Sequence, residues 1–302
     1  MLDACRDSFG VAQSAEVSLE VNPESATMSR LVGWRESGVT RLSFGVQSFR
    51  DDELRRLGRR HTASRAQEAV RAARWAGYDD ISLDLMLWLP GQTAEHSRES
   101  IDTLLELDPD HASIYLLELY PNAPLQEDMA RAGWSLAPDD DAAQIYLDAL
   151  AATDEGGYEQ YEISNVSRPG RRCRHNLKYW RDGEWLGFGC GAHSTRDGAR
   201  WRNLSETTRY IETVTVGRSA AVGQRWLSLS ERIGDVLFMG LRLTDGLDLD
   251  TIERQYGVAV MQKYGIELEP FIAEGLLIHE FGRLQLTRQG MLVANEIMET
   301  FV

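Results

Sequence analysis

Glu20, Gln47 and Asp84 each stand on the polar side of a short alternating stretch, close to its end. The stretches are Glu16–Asn22, Thr40–Gln47 and Ile81–Met86. Such side chains either grip a polar ligand or tie down neighbouring loops, and three coincident cases at one end favour the ligand. A second constellation is Cys173–His193, CRHNLKYWRDGEWLGFGCGAH, with two of the three cysteines and two of the six histidines. Around its start, Arg168–Arg181 carries six Lys/Arg and no acid, in a chain of net charge −15. A cationic island on an acidic protein suits a small anionic ligand better than a polyanion. Tyr179, Trp180, Trp185 and Phe188 add flat apolar surface. The ligand they suggest is flat, apolar and negatively charged at its edge. A solvated basic loop followed by a glycine-bounded strand is the competing reading.

The elements that must position these residues follow from periodicity. In the three stretches Val17, Leu19 and Val21, then Leu42, Phe44 and Val46, then Ile81, Leu83 and Leu85 alternate with polar residues, as half-buried strands do. Helical stretches separate them: one from Ser25 or Thr27 to Gly38, an Arg-rich one over Asp51–Ala76 broken near Arg59–Thr62, and Thr93–Leu107 before a fourth strand, Ala112–Leu119. Strands spaced by helices form βαβ units and a parallel sheet. One wet face on such strands points to a curled, barrel-like sheet with its ligand at the strands' C-terminal ends. Further on, helices are expected at Leu125–Gly133 and Asp139–Glu155, strands at Tyr158–Ile163 and Trp185–Cys190, and a hairpin at Ser194–Asn203 around Asp197-Gly198. From Arg225 a helical pattern, a hairpin around Gly282 and a last helix to Val302 outline a small winged-helix-like domain. The expected divisions are a barrel over 1–122, a capping and ligand-associated region over 123–224, and the C-terminal α+β domain over 225–302.

Composition narrows the function classes. The net negative charge argues against nucleic acid, and the C-terminal domain, with 7 Lys/Arg against 12 Asp/Glu, is no DNA reader. No apolar run reaches the roughly 20 residues that span a bilayer. Three widely spaced cysteines make no disulfide framework and fit a cytoplasmic protein.

LEVNPE (Leu19–Glu24), RLSFGVQSF (Arg41–Phe49), LGRRH (Leu57–His61), LDLMLWLPGQT (Leu83–Thr93) and above all CRHNLKYW with GFGCGAHS carry a resemblance. The chain resembles the radical S-adenosylmethionine proteins related to oxygen-independent coproporphyrinogen III oxidase, and within them the heme chaperone branch, HemW. The resemblance covers essentially the whole chain. It implies an α/β fold, a partial (β/α)₆ barrel, S-adenosylmethionine and a [4Fe–4S] cluster, with heme bound elsewhere and passed to an acceptor protein. By motif, Glu20 would take the methionine amino group, Gln47 and Asp84 the nucleoside side, and Arg59, or its neighbour Arg60, the carboxylate. His175 of HNxxYW would bind heme, the surrounding cations pairing with its propionates. Peripheral association with a membrane stays open.

The chain departs from that family pattern in three places. CxxxCxxC and the GGTP turn are absent, and Leu87-Trp88 stands where the family usually has Tyr-Gly. The chain starts about where the second barrel helix would end. The expectation is therefore a barrel remnant lacking its first strands, with Glu16–Asn22 as an unpaired edge, and no reductive cleavage of S-adenosylmethionine by the chain as it stands. Porphyrinogen oxidation is the alternative activity in the same family. Two other readings stand beside these. Cys173, His175, Cys190 and His193 have the ligand types of a structural zinc site, although their spacing fits no common finger. Glu20 and Asp84 as acid and base would make a hydrolase. His193 is the second heme candidate, His61 is a ligand-positioning or capping residue, and His96, His111 and His279 are expected at surface or edge positions.

Overall fold

The computed structural model describes residues 1–120 and 123–302; the expected boundary at residue 122 lies outside them. The described residues form two units, Met1–His175 and Asn176–Val302.

The first unit is built on a six-stranded sheet of β1 (Ser18–Val21), β2 (Arg41–Gln47), β3 (Ile81–Leu87), β4 (His111–Leu116), β5 (Glu159–Glu162) and β6 (Asn165–Ser167). The order is β1-β2-β3-β4-β6-β5. The first four strands run parallel, as the strand–helix spacing predicts, and β6 joins β4 antiparallel. Tyr158–Ile163 is thus the first arm of a hairpin that closes the far side of the sheet, rather than another parallel strand. β1 pairs with β2 alone and is an edge strand among the described residues.

Alternation decides which face is which. Leu42, Phe44, Val46, Ile81, Leu83 and Leu85 are fully buried, on the side of helices Ala63–Trp75 and Ala94–Leu107. Thr27, Thr62 and Thr93 cap their helices by accepting the N–H of Arg30, Arg65 and His96, each satisfying a donor the helix leaves open. Of the two cap candidates Ser25 and Thr27, the structure uses Thr27.

His111 corrects the expectation of a surface or edge histidine. Its ring is buried, with Nδ1 at 2.8 Å from Ser82 Oγ and Nε2 at 2.7 Å from Tyr161 OH. Burial, helped by the nearby Arg41 charge, holds its pKa well below the usual histidine value. The unfolded chain therefore takes up a proton below about pH 6.5 that the folded state refuses, so stability falls as pH drops through that value. This group alone is therefore expected to make the protein less stable at pH 5 than at pH 7. Urea unfolding at pH 7 and pH 5 checks it: His111→Gln should lose less stability than the wild type over this interval, and equal losses refute it.

The second unit carries two small sheets. β7 (His193–Arg196), β8 (Ala199–Asn203) and β9 (Ala221–Trp226) form one antiparallel sheet. Asp197 and Gly198 both take positive φ at the β7–β8 turn, the geometry a two-residue hairpin needs. β10 (Leu247–Asp248), β11 (Leu277–Glu280) and β12 (Arg283–Leu286) form the other in the order β10-β12-β11. Helices Leu229–Gly240, Leu249–Tyr256 and Val260–Ala273 precede the β11–β12 hairpin, the element order expected for this segment. The last helix is instead two short ones, Arg288–Leu292 and Ala294–Met298, with a 3₁₀ turn after them.

Candidate functional site

The polar face of the parallel sheet gathers the strand-end residues. Glu20 stands opposite Ser43 in the β1–β2 register, and Asp84 opposite Ser113 in β3–β4. Ser43 Oγ donates to Asp84 Oδ1 at 3.1 Å, joining the two pairs into a row across four strands. Gln47 ends β2 with φ of +73°, in the left-handed region that glycine enters freely and other residues rarely do. Its Oε1 accepts from Tyr115 OH at 2.7 Å. Arg59 reaches back from the loop after Asp51–Arg56 to Asn22 Oδ1 at 2.7 Å and the Gly45 carbonyl at 2.5 Å. Arg60 is exposed, so geometry places Arg59, not its neighbour, on this face.

Gly45 explains how so many groups converge. A Cβ there would lie 3.1 Å from Arg59 Nη2 and 3.2 Å from Gln47 Nε2. The missing side chain leaves room for both. Burial pushes the Asp84 carboxyl up to about 6, and the Glu20 charge adds to that, while hydroxyls of Ser43 and Ser113 pull it down. Tyr115 is pushed up to about 12, chiefly by burial and then by the Asp84 charge. Two carboxylates, a guanidinium and an amide on one face suit a ligand that bears both a cation and a carboxylate.

Ser43, Ser113, Tyr115 and Asn22 were not singled out from the sequence. The signal was present for all four, because Asn22 alternates on the side of Glu20, Ser43 on the side of Gln47, and Ser113 and Tyr115 share one face of the strand HASIYL. Trp88 has φ of +62°, which is why glycine suits this position, and its indole N–H donates to the Ala137 carbonyl at 2.8 Å. His61 is buried, with Nε2 at 3.0 Å from the Val46 carbonyl and Nδ1 at 3.4 Å from Glu24.

The motif stretch folds differently from expectation. Arg174–Trp180 is a helix, and His175 in its first turn is exposed. Trp185–Cys190 is not a strand: a single bridge joins Trp185 to Thr195, and Gly189 and Gly191 have φ of +104° and +70°, which no strand accommodates. Asn203 Nδ2 ties the loop by donating to the carbonyls of Gly187 and Gly189 at 3.1 and 2.9 Å. Tyr179 and Trp185 meet edge to face, with centroids 4.6 Å apart. The basic run has acid partners of its own: Arg168 with Asp108 at 2.5 Å, Arg171 with Asp110 at 3.9 Å, Arg181 with Asp245 at 3.5 Å. Its charge is therefore less available to propionates than the sequence suggests.

Among the described residues no group of three or more His, Cys, Asp or Glu side chains is disposed to hold a metal ion. Cys173 is buried beside Glu16, and Cys190 is exposed with Thr207 Oγ1 at 3.4 Å. A [4Fe–4S] cluster would supply the electron that cleaves S-adenosylmethionine, but these residues do not fit one, and no cleavage step is assigned to them.

Comparison with known proteins bears on the fold and the family. The Radical SAM superfamily model matches residues 5–104 and the HemN C-terminal domain model residues 227–293. The heme chaperone HemW of Bacillus subtilis is 34% identical over 288 residues, 95% of this chain and 76% of that protein. The heme chaperone HemW of Mycobacterium tuberculosis is 34% identical over 303 residues, 100% of this chain and 75% of that protein. Coproporphyrinogen III oxidase (HemN) from Escherichia coli, solved as a radical SAM enzyme, superposes with a TM-score of 0.83 over 99% of this chain and 72% of that one. At 23% identity that likeness shows the fold alone. Fold and matches define a radical SAM protein of the HemN-like group, a class that implies S-adenosylmethionine and a [4Fe–4S] cluster. Within that group the chain belongs to the HemW heme chaperone family. No helix among the described residues is long and apolar enough to cross a membrane.

Proposed function

We propose that the chain binds S-adenosylmethionine on the polar face of its parallel sheet and heme through His175, and passes heme to an acceptor protein. The observation that carries the first part is the convergence of Gln47, Arg59 and Asn22 around the side-chain-free position at Gly45, with Glu20 and Asp84 on the same polar face of the sheet. Glu20 takes the methionine ammonium and Arg59 its carboxylate, while Gln47 and Asp84 hold the nucleoside. The second part is supported by the exposed His175 and by membership in a family named for heme chaperones. The residue lies at an exposed helix start, and imidazole is an ordinary axial ligand to heme iron.

Calorimetric titration with S-adenosylmethionine tests the site. Gly45→Leu should displace Arg59 and Gln47 and weaken binding about tenfold or more, the scale of one charge-assisted hydrogen bond, with the circular dichroism of the fold kept. Undiminished affinity in a folded Gly45→Leu protein places the nucleotide elsewhere.

A further inference from the structure

The residues just ahead of His175 are held in a way that neither the motif nor the family match assigns. Glu16 lies on the segment before β1, far away in sequence. Its Oε2 accepts the backbone N–H of Arg174 at 3.0 Å, and its Oε1 accepts the backbone N–H of His175 itself at 3.1 Å. The Cys173 thiol lies 3.7 Å from the same Oε1. Tyr161 OH accepts the Cys173 N–H at 3.4 Å from below, and that phenol is fixed in turn by the buried His111–Ser82 pair. The Arg174 guanidinium donates to the Ser14 carbonyl at 2.9 Å, so the Glu16 segment is gripped from both directions.

The helix Arg174–Trp180 has no acidic residue in its own first turn. A helix start leaves backbone donors open, and a carboxylate is the acceptor that answers both their hydrogen bonds and their dipole. A side chain from a distant segment does here what a local cap does elsewhere.

We infer that Glu16 is a positioning residue for His175: its carboxylate, backed by Tyr161, locks residues 173–175 and so fixes the direction in which the imidazole is offered to heme iron. The inference rests on the heme role proposed above for His175. It also assigns a use to the buried Ser82–His111–Tyr161 chain, which lies one step ahead of Asp84 and Ser113 on their strands.

The test reads two quantities on the full chain. One is the rate at which iodoacetamide alkylates Cys173, scored by mass spectrometry of the peptide so that Cys5 and Cys190 do not interfere. The other is the absorbance spectrum of added hemin. Glu16→Ala should speed Cys173 alkylation about tenfold, the scale of losing charge-assisted hydrogen bonds, and move the heme spectrum toward that of His175→Ala. Glu16→Gln, which keeps an acceptor and is the safer variant to fold, should lie between. Unchanged alkylation in both variants shows that Glu16 does not lock the segment and overturns the inference. Faster alkylation with a wild-type heme spectrum also overturns it, leaving the heme reading intact. A wild-type spectrum in His175→Ala removes the heme reading, and this inference with it.

Discussion

Asp84→Asn is expected to make the protein more stable at pH 7 and poorer at holding S-adenosylmethionine. The folded state raises the Asp84 carboxyl from 3.8 to about 6. Between those values the folded chain keeps a proton that the unfolded chain has lost, so stability falls as pH rises through that window. Above about pH 6 the whole cost is in place. A shift of this size corresponds to about 3 kcal/mol, and allowing for partial exposure roughly 2 kcal/mol remains. Asparagine carries no charge to bury and still offers an oxygen to the Ser43 hydroxyl. Binding moves the other way: with the carboxylate gone, affinity should drop about tenfold. Wild-type binding should also weaken below pH 6, while the variant's profile stays flat there. His111 shifts stability with pH in the opposite sense, so variant and wild type must be compared at each pH. A less stable Asp84→Asn protein, or one with the wild-type binding profile, contradicts the account.

The second large effect concerns heme. With His175→Ala, hemin should lose the spectrum of an imidazole-coordinated iron and bind on the order of 100-fold more weakly, at least what losing an outer-shell partner of a metal ligand costs. Free imidazole added to the variant should restore the spectrum, because it replaces the missing donor without the side chain. If the variant binds hemin as the wild type does, His193, exposed at the start of β7, becomes the residue to replace. Circular dichroism before titration guards against an unfolded variant.

The two halves of the site were not equally readable. Period-two alternation placed Glu20, Gln47 and Asp84 on one face because a strand sends successive side chains to opposite sides, a local property of the chain. The helix around His175 escaped that logic. Its first turn is capped by Glu16, more than a hundred residues away, and no window of sequence contains both. The glycines of GFGCGAH misled for a related reason: alternation is also what a looped backbone with positive φ can show. His111 looked like an edge residue because its partners, Ser82 and Tyr161, arrive from two other strands.

By itself, then, the amino-acid order determined the parallel strand–helix units, the polar face at their C-terminal ends, the helices-then-hairpin order of the last segment and the family. These rest on periodicity, caps and short motifs, all of which act within a few residues. Tertiary structure decided which of Arg59 and Arg60 lies on the polar face, bonded Ser43 to Asp84 and Tyr115 to Gln47, closed the sheet with an antiparallel hairpin, and paired the basic run with acids. Each of those outcomes depends on groups brought together across long loops, where distance in space and access to water, not order along the chain, set the energy.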